Sequence, residues 1–259
     1  MTSEALTKYE LRGAAAWITL DSPANRNALS GALVGELAAH LDAALRDDGA
    51  RCIVLTGAGS AFCAGADLAE RGAGLGRTAG GESPFVGLLK TLWNGPKPVI
   101  AAVNGHAFGG GIGLIAACDI AIAARTAKFG FSEVRVGVVP ATISVLVIPK
   151  LGVHQSMRLF LTGERFDAQR ALAYGLLHRV VAPDALERAA QEEVDAIALG
   201  GPNAVREAKR LVREVAQLPT DEAFRRAEAL IGELFASPEA AEGASAFLEK
   251  RPPGWAPGR

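Results

Sequence analysis

The chain has 259 residues, of which 49% are hydrophobic and 21% charged, and its formal net charge is −1. Such a composition excludes disorder and fits one globular domain, or one domain with an appendage. The near-neutral balance, the lack of a polybasic run and an aromatic content of 6% argue against nucleic acid as a partner.

Cys52, Cys63 and Cys118 are an odd number without metal-ligand spacing, so reduced thiols in a cytoplasmic protein are expected. The N-terminal MTSEALTKYE has no basic segment followed by an apolar one, so no secretory signal is expected. The longest apolar run, around Ile112 to Cys118, is far shorter than the roughly 20 residues of a bilayer span. A soluble protein without membrane contact is the expectation.

Taken in order, Tyr9 to Leu20 predicts a strand pair or a bent strand broken at Gly13. Ser30 to Arg46 places Leu33, Leu37, Leu41 and Leu45 at four-residue spacing beside Val34 and Ala38, an amphipathic helix with Ser30 as N-cap. Cys52–Gly57, Pro98–Gly105 and Cys118–Ala124 are short apolar strands. The glycine-rich Arg71 to Ser83 between the first two is expected as a mobile or passive surface loop. Strands alternating with helices imply βα units and parallel pairing. From about Pro183 the pattern turns helical: Pro183–Leu199, Gly201–Leu218, Thr220–Phe235 and Ser237–Lys250, ended by RPPGWAPGR. A βα core over residues 1–200 and a helical region over 201–259 are expected, the latter packing on a neighbouring subunit or on its own core.

The most unusual stretch is HAFGGGIGLIAACD, His106 to Asp119. The dinucleotide fingerprint G-x-G-x-x-G fails here, because its last glycine falls on Leu114 or Ala116. No phosphate loop ends in Gly-Lys-Ser/Thr, no G-x-S-x-G elbow exists, and His40, His106, His154 and His178 lack metal spacing. Two glycine-bearing turns remain, Ser60–Leu68 and Asn104–Leu114, each next to an apolar strand. Glycine there admits close backbone approach, and two converging N–H groups would form an oxyanion hole. Close strand–helix packing is the other reading, and the spacing does not show whether the two turns meet.

Six segments in order, SPANRNALS, GSAFCAGADL, KPVIAAVNGHAFGGG, CDIAIAARTAKFGFSEVRVGVVP, LTGERFDAQRALAYGLLHRVV and FLEKRPPGW, resemble the crotonase (enoyl-CoA hydratase/isomerase) family. The resemblance covers nearly the whole chain. It implies an α/β fold, a spiral of ββα units with a C-terminal helical trimerisation region, and a homotrimer or a hexamer built as a dimer of trimers. It implies an acyl-CoA substrate and no cofactor, coenzyme A being part of the substrate. The reaction stays open among water addition, double-bond isomerisation, decarboxylation and thioester binding with little turnover, since one fold hosts many chemistries.

Carried over by motif, Ala66 and Gly110 supply the two oxyanion-hole N–H groups, and Glu133 is the acid/base. The family's other carboxylate position is Gly113 here, which would leave room for a bulkier acyl group. Together with Pro140–Ser144 (PATIS) in place of a glycine-rich version, this resembles branches acting on branched or carboxylated acyl-CoAs, such as methylglutaconyl-CoA hydratase-like members. Arg26 matches a basic position that meets CoA phosphates, and Ala28 one lining its adenine pocket. Ala64, Asp67, Leu68, Gly113, Val136 and Gly137 complete the expected substrate and CoA contacts. Asp67 and Asp119 are also expected to tie down nearby backbone, Cys63 to be small filler, and His106 to be a loop residue that the sequence gives no partner for a catalytic role.

Overall fold

A computed structural model describes residues 5–70 and 81–256. Strands β1 (Thr7–Arg12) and β2 (Ala15–Leu20) form an antiparallel pair turning at Gly13, as the break in the pattern predicts. Helix α1 (Gly31–Arg46) comes next, its first turn capped by Ser30 Oγ, which accepts from Leu33 N–H at 3.1 Å. Its face of Leu33, Val34, Leu37, Leu41 and Ala44 is buried.

Three ββα turns then stack. They are β3 (Cys52–Gly57), β4 (Ala61–Cys63) and α2 (Pro84–Asn94); β5 (Val99–Val103), β6 (His106–Phe108) and α3 (Gly110–Ala117); and β7 (Ile120–Ala124), β8 (Lys128–Gly130) and α4 (Ala141–Thr162). Strands β9 (Arg165–Asp167) and β10 (Arg179–Val181), with α5 (Ala168–Ala173) between them, complete two sheets. The first strand of each turn joins a six-stranded sheet of order β1-β2-β3-β5-β7-β10, and the second joins a four-stranded sheet of order β4-β6-β8-β9.

Parallel strands are buried on both faces, which is why CIVLTG and PVIAAV read as unbroken apolar runs. One face packs on α1, α2 and α3. The other carries Ala15, Trp17, Cys52, Val54, Ile100 and Ile122 against Leu186, Ala189, Ala190 and Val194 of α6 (Leu186–Ala198). The C-terminal helices are α7 (Pro202–Val215), α8 (Thr220–Phe235) and α9 (Pro238–Leu248), close to their expected bounds. Of the glycine-rich Arg71–Ser83 segment, residues 71–80 lie outside the described residues; Ser83 caps α2 by accepting from Val86 N–H.

Helix α7 is fastened to the core by charge. Asp119 accepts from Val99 N–H at 2.8 Å, as expected for an aspartate opening a strand, and also pairs with Lys209 and Arg213. The Lys209 side chain is only 6% exposed, and its Nζ donates to the carbonyls of Leu92 and Lys97. The Arg213 guanidinium lies 3.9 Å from the centroid of Trp93. Burial pushes the Lys209 pKa down, while Asp119 pulls it back.

Removing one partner from a buried ion pair strands the other, typically at about 3–5 kcal/mol. Asp119→Ala should therefore cost about that much in denaturant unfolding, with part recovered by Asp119→Ala/Lys209→Met. A loss within the roughly 1 kcal/mol of an exposed pair would show that the cluster does not hold α7.

Candidate active site

Strands β4, β6 and β8 pair in parallel, Ala61 and Cys63 opposite His106 and Ala107, and Ala107 and Phe108 opposite Phe129 and Gly130. Their C-terminal ends therefore open on one edge of the small sheet, the usual place for a ligand in parallel α/β sheets. Each strand leads into a different segment there: β4 into the turn Ala64–Leu68, β6 into the glycines opening α3, and β8 into a short 3₁₀ turn, Ser132–Val136, carrying Glu133. The two glycine-bearing turns do meet.

Their closeness depends on missing side chains. Gly65 has φ +89°, and a Cβ there would stand 2.8 Å from Phe108 O and 3.4 Å from Gly110 N. A Cβ on Gly111 would collide with Cys63 O at 2.4 Å. Gly109, with φ +48° and ψ −117°, adopts a backbone that side chains resist, and turns the chain into α3. Among the described residues, neither Ala66 N–H nor Gly110 N–H donates to a protein acceptor. Gly110 occupies the first position of α3, where the N–H has no helical partner and the helix dipole favours negative charge.

Glu133 closes the third side. Its Oε1 sits 2.8 Å from where a Gly109 Cβ would be, so a side chain at 109 would push the carboxyl out of this position. Among the described residues its Oε2 is buried without a hydrogen-bond partner. Burial pushes the carboxyl above its ordinary pKa, and a bond from its own backbone N–H tempers the rise. These groups line a cavity of about 270 Å³ with Phe85, Val136, Val138, Val139, Thr142 and Ile143. Among its described lining residues Glu133 is the one titratable side chain.

Gly113 corrects an expectation. It leaves no room for a bulkier acyl group: a Cβ on it would lie 2.3 Å from Ile143 Cγ2 and 3.8 Å from Phe85 Cζ. Ile143, from the first turn of α4, occupies the space a side chain at 113 would need. Gly113 itself is buried and is absent from the cavity wall, which Ile143 forms instead.

The other expected residues divide. Ala64, Leu68 and Val136 line the cavity, Leu68 being 66% exposed at its mouth. Gly137 ends the Glu133 turn in a left-handed conformation. Arg26, Ala28 and Asp67 lie outside the wall but next to it: Arg26 O accepts from Ala64 N–H, and Ala28 is buried beside Leu29, which bridges Ala66. Asp67 Oδ1 accepts from Ala69 N–H, the structural role expected of it. Burial pushes the Cys63 thiol up to about 12, in keeping with filler. His106 does not lie in a loop; it opens β6, and its Nδ1 accepts from Lys128 N–H at 3.2 Å.

Asn27 is the residue that sequence reasoning passes over. Fully buried at φ +57°, it donates to the carbonyls of Ala58, Ala61 and Phe62 and accepts from Ser22 N–H. It thereby fixes the Ser22–Ser30 loop against β4, and Leu29 N–H reaches Gly65 O at 2.8 Å. An asparagine between Arg26 and Ala28 hints at a left-handed position, but its partners are visible only in three dimensions.

Comparison with known proteins agrees with this architecture. The family described as enoyl-CoA hydratase/isomerase matches residues 10–258. A Rhizobium meliloti protein described as a probable enoyl-CoA hydratase is 40% identical over 93% of this chain and 94% of its own length. A carnitinyl-CoA dehydratase of Proteus mirabilis is 36% identical over 94% of this chain and 95% of its own. The crystal structure of an enoyl-CoA hydratase from Shewanella pealeana superposes with a TM-score of 0.90 at 33% identity, covering 96% of each chain.

The Gly113–Ile143 fit gives a signed prediction. Alanine in a helix interior ordinarily gains about 1 kcal/mol over glycine. A 2.3 Å approach to a packed isoleucine reverses that, since overpacking costs about 1–3 kcal/mol. Gly113→Ala should lower the urea midpoint, and Gly113→Ala/Ile143→Ala should do better than the sum of the two single changes. Additive losses would show that the two positions do not share the space.

Proposed function

The chain belongs to the enoyl-CoA hydratase/isomerase family, and on that premise we propose that it adds water across the 2,3 double bond of an enoyl-CoA with Glu133 as its acid/base. One observation carries this reading: a buried carboxylate oxygen without a described partner shares a cavity with two backbone N–H groups that donate to no described acceptor. Water adds its oxygen to C3 while Glu133 takes its proton. The π electrons move into the thioester, and the oxygen of the resulting enolate is held by Ala66 N–H and Gly110 N–H. The enolate then collapses, C2 receives the proton from Glu133, and the carboxylate is restored. Two fixed dipoles suit this charge, since losing one such donor typically costs about 2.7–4 kcal/mol.

Coenzyme A is part of the substrate, and the reaction asks for no further cofactor. In this reading Arg26, exposed beside Ala64, meets the CoA phosphates, while Ala28, Ala64, Asp67 and Leu68 lie along its path and Val136 and Gly137 border the acyl end. The described cavity wall carries no lysine or arginine to pair with a second carboxylate, and Ile143 fills the space at Gly113. An uncharged acyl group is therefore favoured over a branched or carboxylated one.

Residues 201–259 act in this reading as the oligomerisation region of a trimer, or of a hexamer of two trimers. Val153, Met157 and Leu161 make an exposed stripe on α4, and Phe224, Ile231, Phe235, Phe247 and Leu248 are exposed on α8 and α9. Apolar surface of that extent commonly marks an interface. Sedimentation should give three or six times the chain mass; a monomer at assay concentration would contradict the assembly.

Glu133→Gln should lower kcat for crotonyl-CoA hydration by about 10²–10⁴, with little change in KM. The base must be ionised, so kcat/KM should fall as pH drops, with its midpoint above the ordinary carboxylate range. The same shift has a stability consequence of the opposite sense. A carboxyl whose folded pKa is raised stabilises fully below its unfolded pKa and loses that contribution as pH rises through the folded one. Glu133→Gln should then be more stable than the parent at neutral pH, by a margin that shrinks on acidification. An unchanged rate, or a margin that grows at low pH, would remove Glu133 from this role.

A further inference from the structure

The two N–H groups at the edge of the small sheet are aimed by different means. Gly110 N–H belongs to the Gly109–Gly110 peptide, whose carbonyl accepts from Ile112 N–H at 2.9 Å and Gly113 N–H at 3.1 Å, so α3 itself holds it. Ala66 N–H belongs to the Gly65–Ala66 peptide, which follows β4 and lies outside any helix. The carbonyl of that peptide, Gly65 O, accepts from Leu29 N–H at 2.8 Å. In a trans peptide the C=O and N–H point in opposite directions, so this bond aims Ala66 N–H away from Leu29. An engaged carbonyl also makes the N–H of its own peptide a stronger donor.

The same leucine touches the other half. A Cβ on Gly110 would lie 2.6 Å from Leu29 Cδ1, so the Leu29 methyl fills the space beside the Gly110 Cα. Leu29 thus spans both peptides. Its backbone bridges Ala66 in parallel, with Asp67 N–H returning to Leu29 O at 3.4 Å, and its fully buried side chain packs on Gly110. Its own place is set two residues earlier. Asn27 donates to Ala61 and Phe62 of β4 and to Ala58 before it, and Ala64 N–H closes the segment on Arg26 O at 3.0 Å.

We infer that Leu29, anchored through Asn27, is a positioning residue that sets the direction of Ala66 N–H and its spacing from Gly110 N–H. This rests on the acyl-CoA reading above, which supplies the thioester oxygen the two groups share. Leu29 and Asn27 both stand outside the cavity wall, so they act through the two peptides and not on the substrate. Moving a reacting group by about 1 Å can cost about 10²-fold in rate. A donor that matters as charge develops is lost from kcat, with KM little changed.

The probe is saturated butyryl-CoA, isotope-labelled at its thioester carbonyl, which binds without being hydrated. In the infrared difference spectrum of the parent complex its C=O stretch should fall below the solution frequency, because two donors draw charge onto the oxygen. Leu29→Ala keeps the backbone N–H and removes the methyl. It should return the stretch part of the way and lower kcat for crotonyl-CoA about 10–100-fold, with KM within about threefold. Leu29→Met, close in volume, should restore most of both. Asn27→Gly, which keeps the left-handed backbone and drops the amide, should act as Leu29→Ala does. Leu37→Ala, at another fully buried leucine farther along α1, supplies the stability loss of a core truncation without touching either peptide. Its stretch and kcat should stay at the parental values.

A stretch equally lowered in the parent and in Leu29→Ala would overturn the positioning role and leave the hydratase reading intact, as would an equal effect of Leu37→Ala. Should Asn27→Gly not fold, the two Leu29 variants and Leu37→Ala decide the question alone. Failure of butyryl-CoA to bind the parent, or a stretch that binding leaves unmoved, would overturn the acyl-CoA reading and the positioning role with it.

Discussion

The parallel pairing of three very short strands, β4, β6 and β8, is the constraint on which the site depends. Each contributes three residues, too few to hold together alone. They are ordered because each comes after a longer, doubly buried strand of the larger sheet in the same ββα turn. The stacking of the turns fixes the order of the small sheet, and that order delivers Ala66, Gly110 and Glu133 to one edge. Asn27 adds a clamp from outside, its side-chain amide donating to Ala61 and Phe62 of β4 and to Ala58 in the turn before it.

Around that edge the chain gives up local stability in places that keep backbone and carboxyl close. Gly65 and Gly109 hold positive φ angles, Gly109 makes room for the Glu133 carboxyl, and Glu133 leaves one buried oxygen without a partner among the described residues. Such unsatisfied groups are costly in a folded protein, and this one faces the cavity. The exchange at Gly113 and Ile143 has a different character. It is a packing solution in which α4 closes on α3, replacing a possible polar wall with an apolar one. Among the described cavity-lining residues Glu133 then carries the one carboxyl, its pKa raised by burial.

Much of this is legible from residue order, and the remainder is not, for definite reasons. Helix α1 and its Ser30 cap emerge from the periodicity of its one buried face, and strands β3, β5 and β7 from apolar runs buried along nearly their whole length. Strands β4, β6, β8 and β9 carry no such signal, since three residues do not establish a period, and His106 consequently reads as loop. The glycines announce close backbone approach but not its partner; Gly65 and Gly110 are separated by a whole turn of the spiral. Gly113 shows the limit most clearly. A missing side chain is plain in the sequence, whereas the side chain that fills its place comes from α4, brought there by tertiary packing alone.

The central claim is that two N–H groups and one carboxyl converge on a thioester, and a crystal structure with a bound saturated acyl-CoA tests it most directly. The thioester oxygen should lie about 2.7–3.1 Å from both Ala66 N and Gly110 N, the distances of a working oxyanion hole. The Glu133 carboxyl should stand over C2 and C3. A thioester oxygen held by other donors, or a Glu133 turned away from the acyl carbons, would contradict the account.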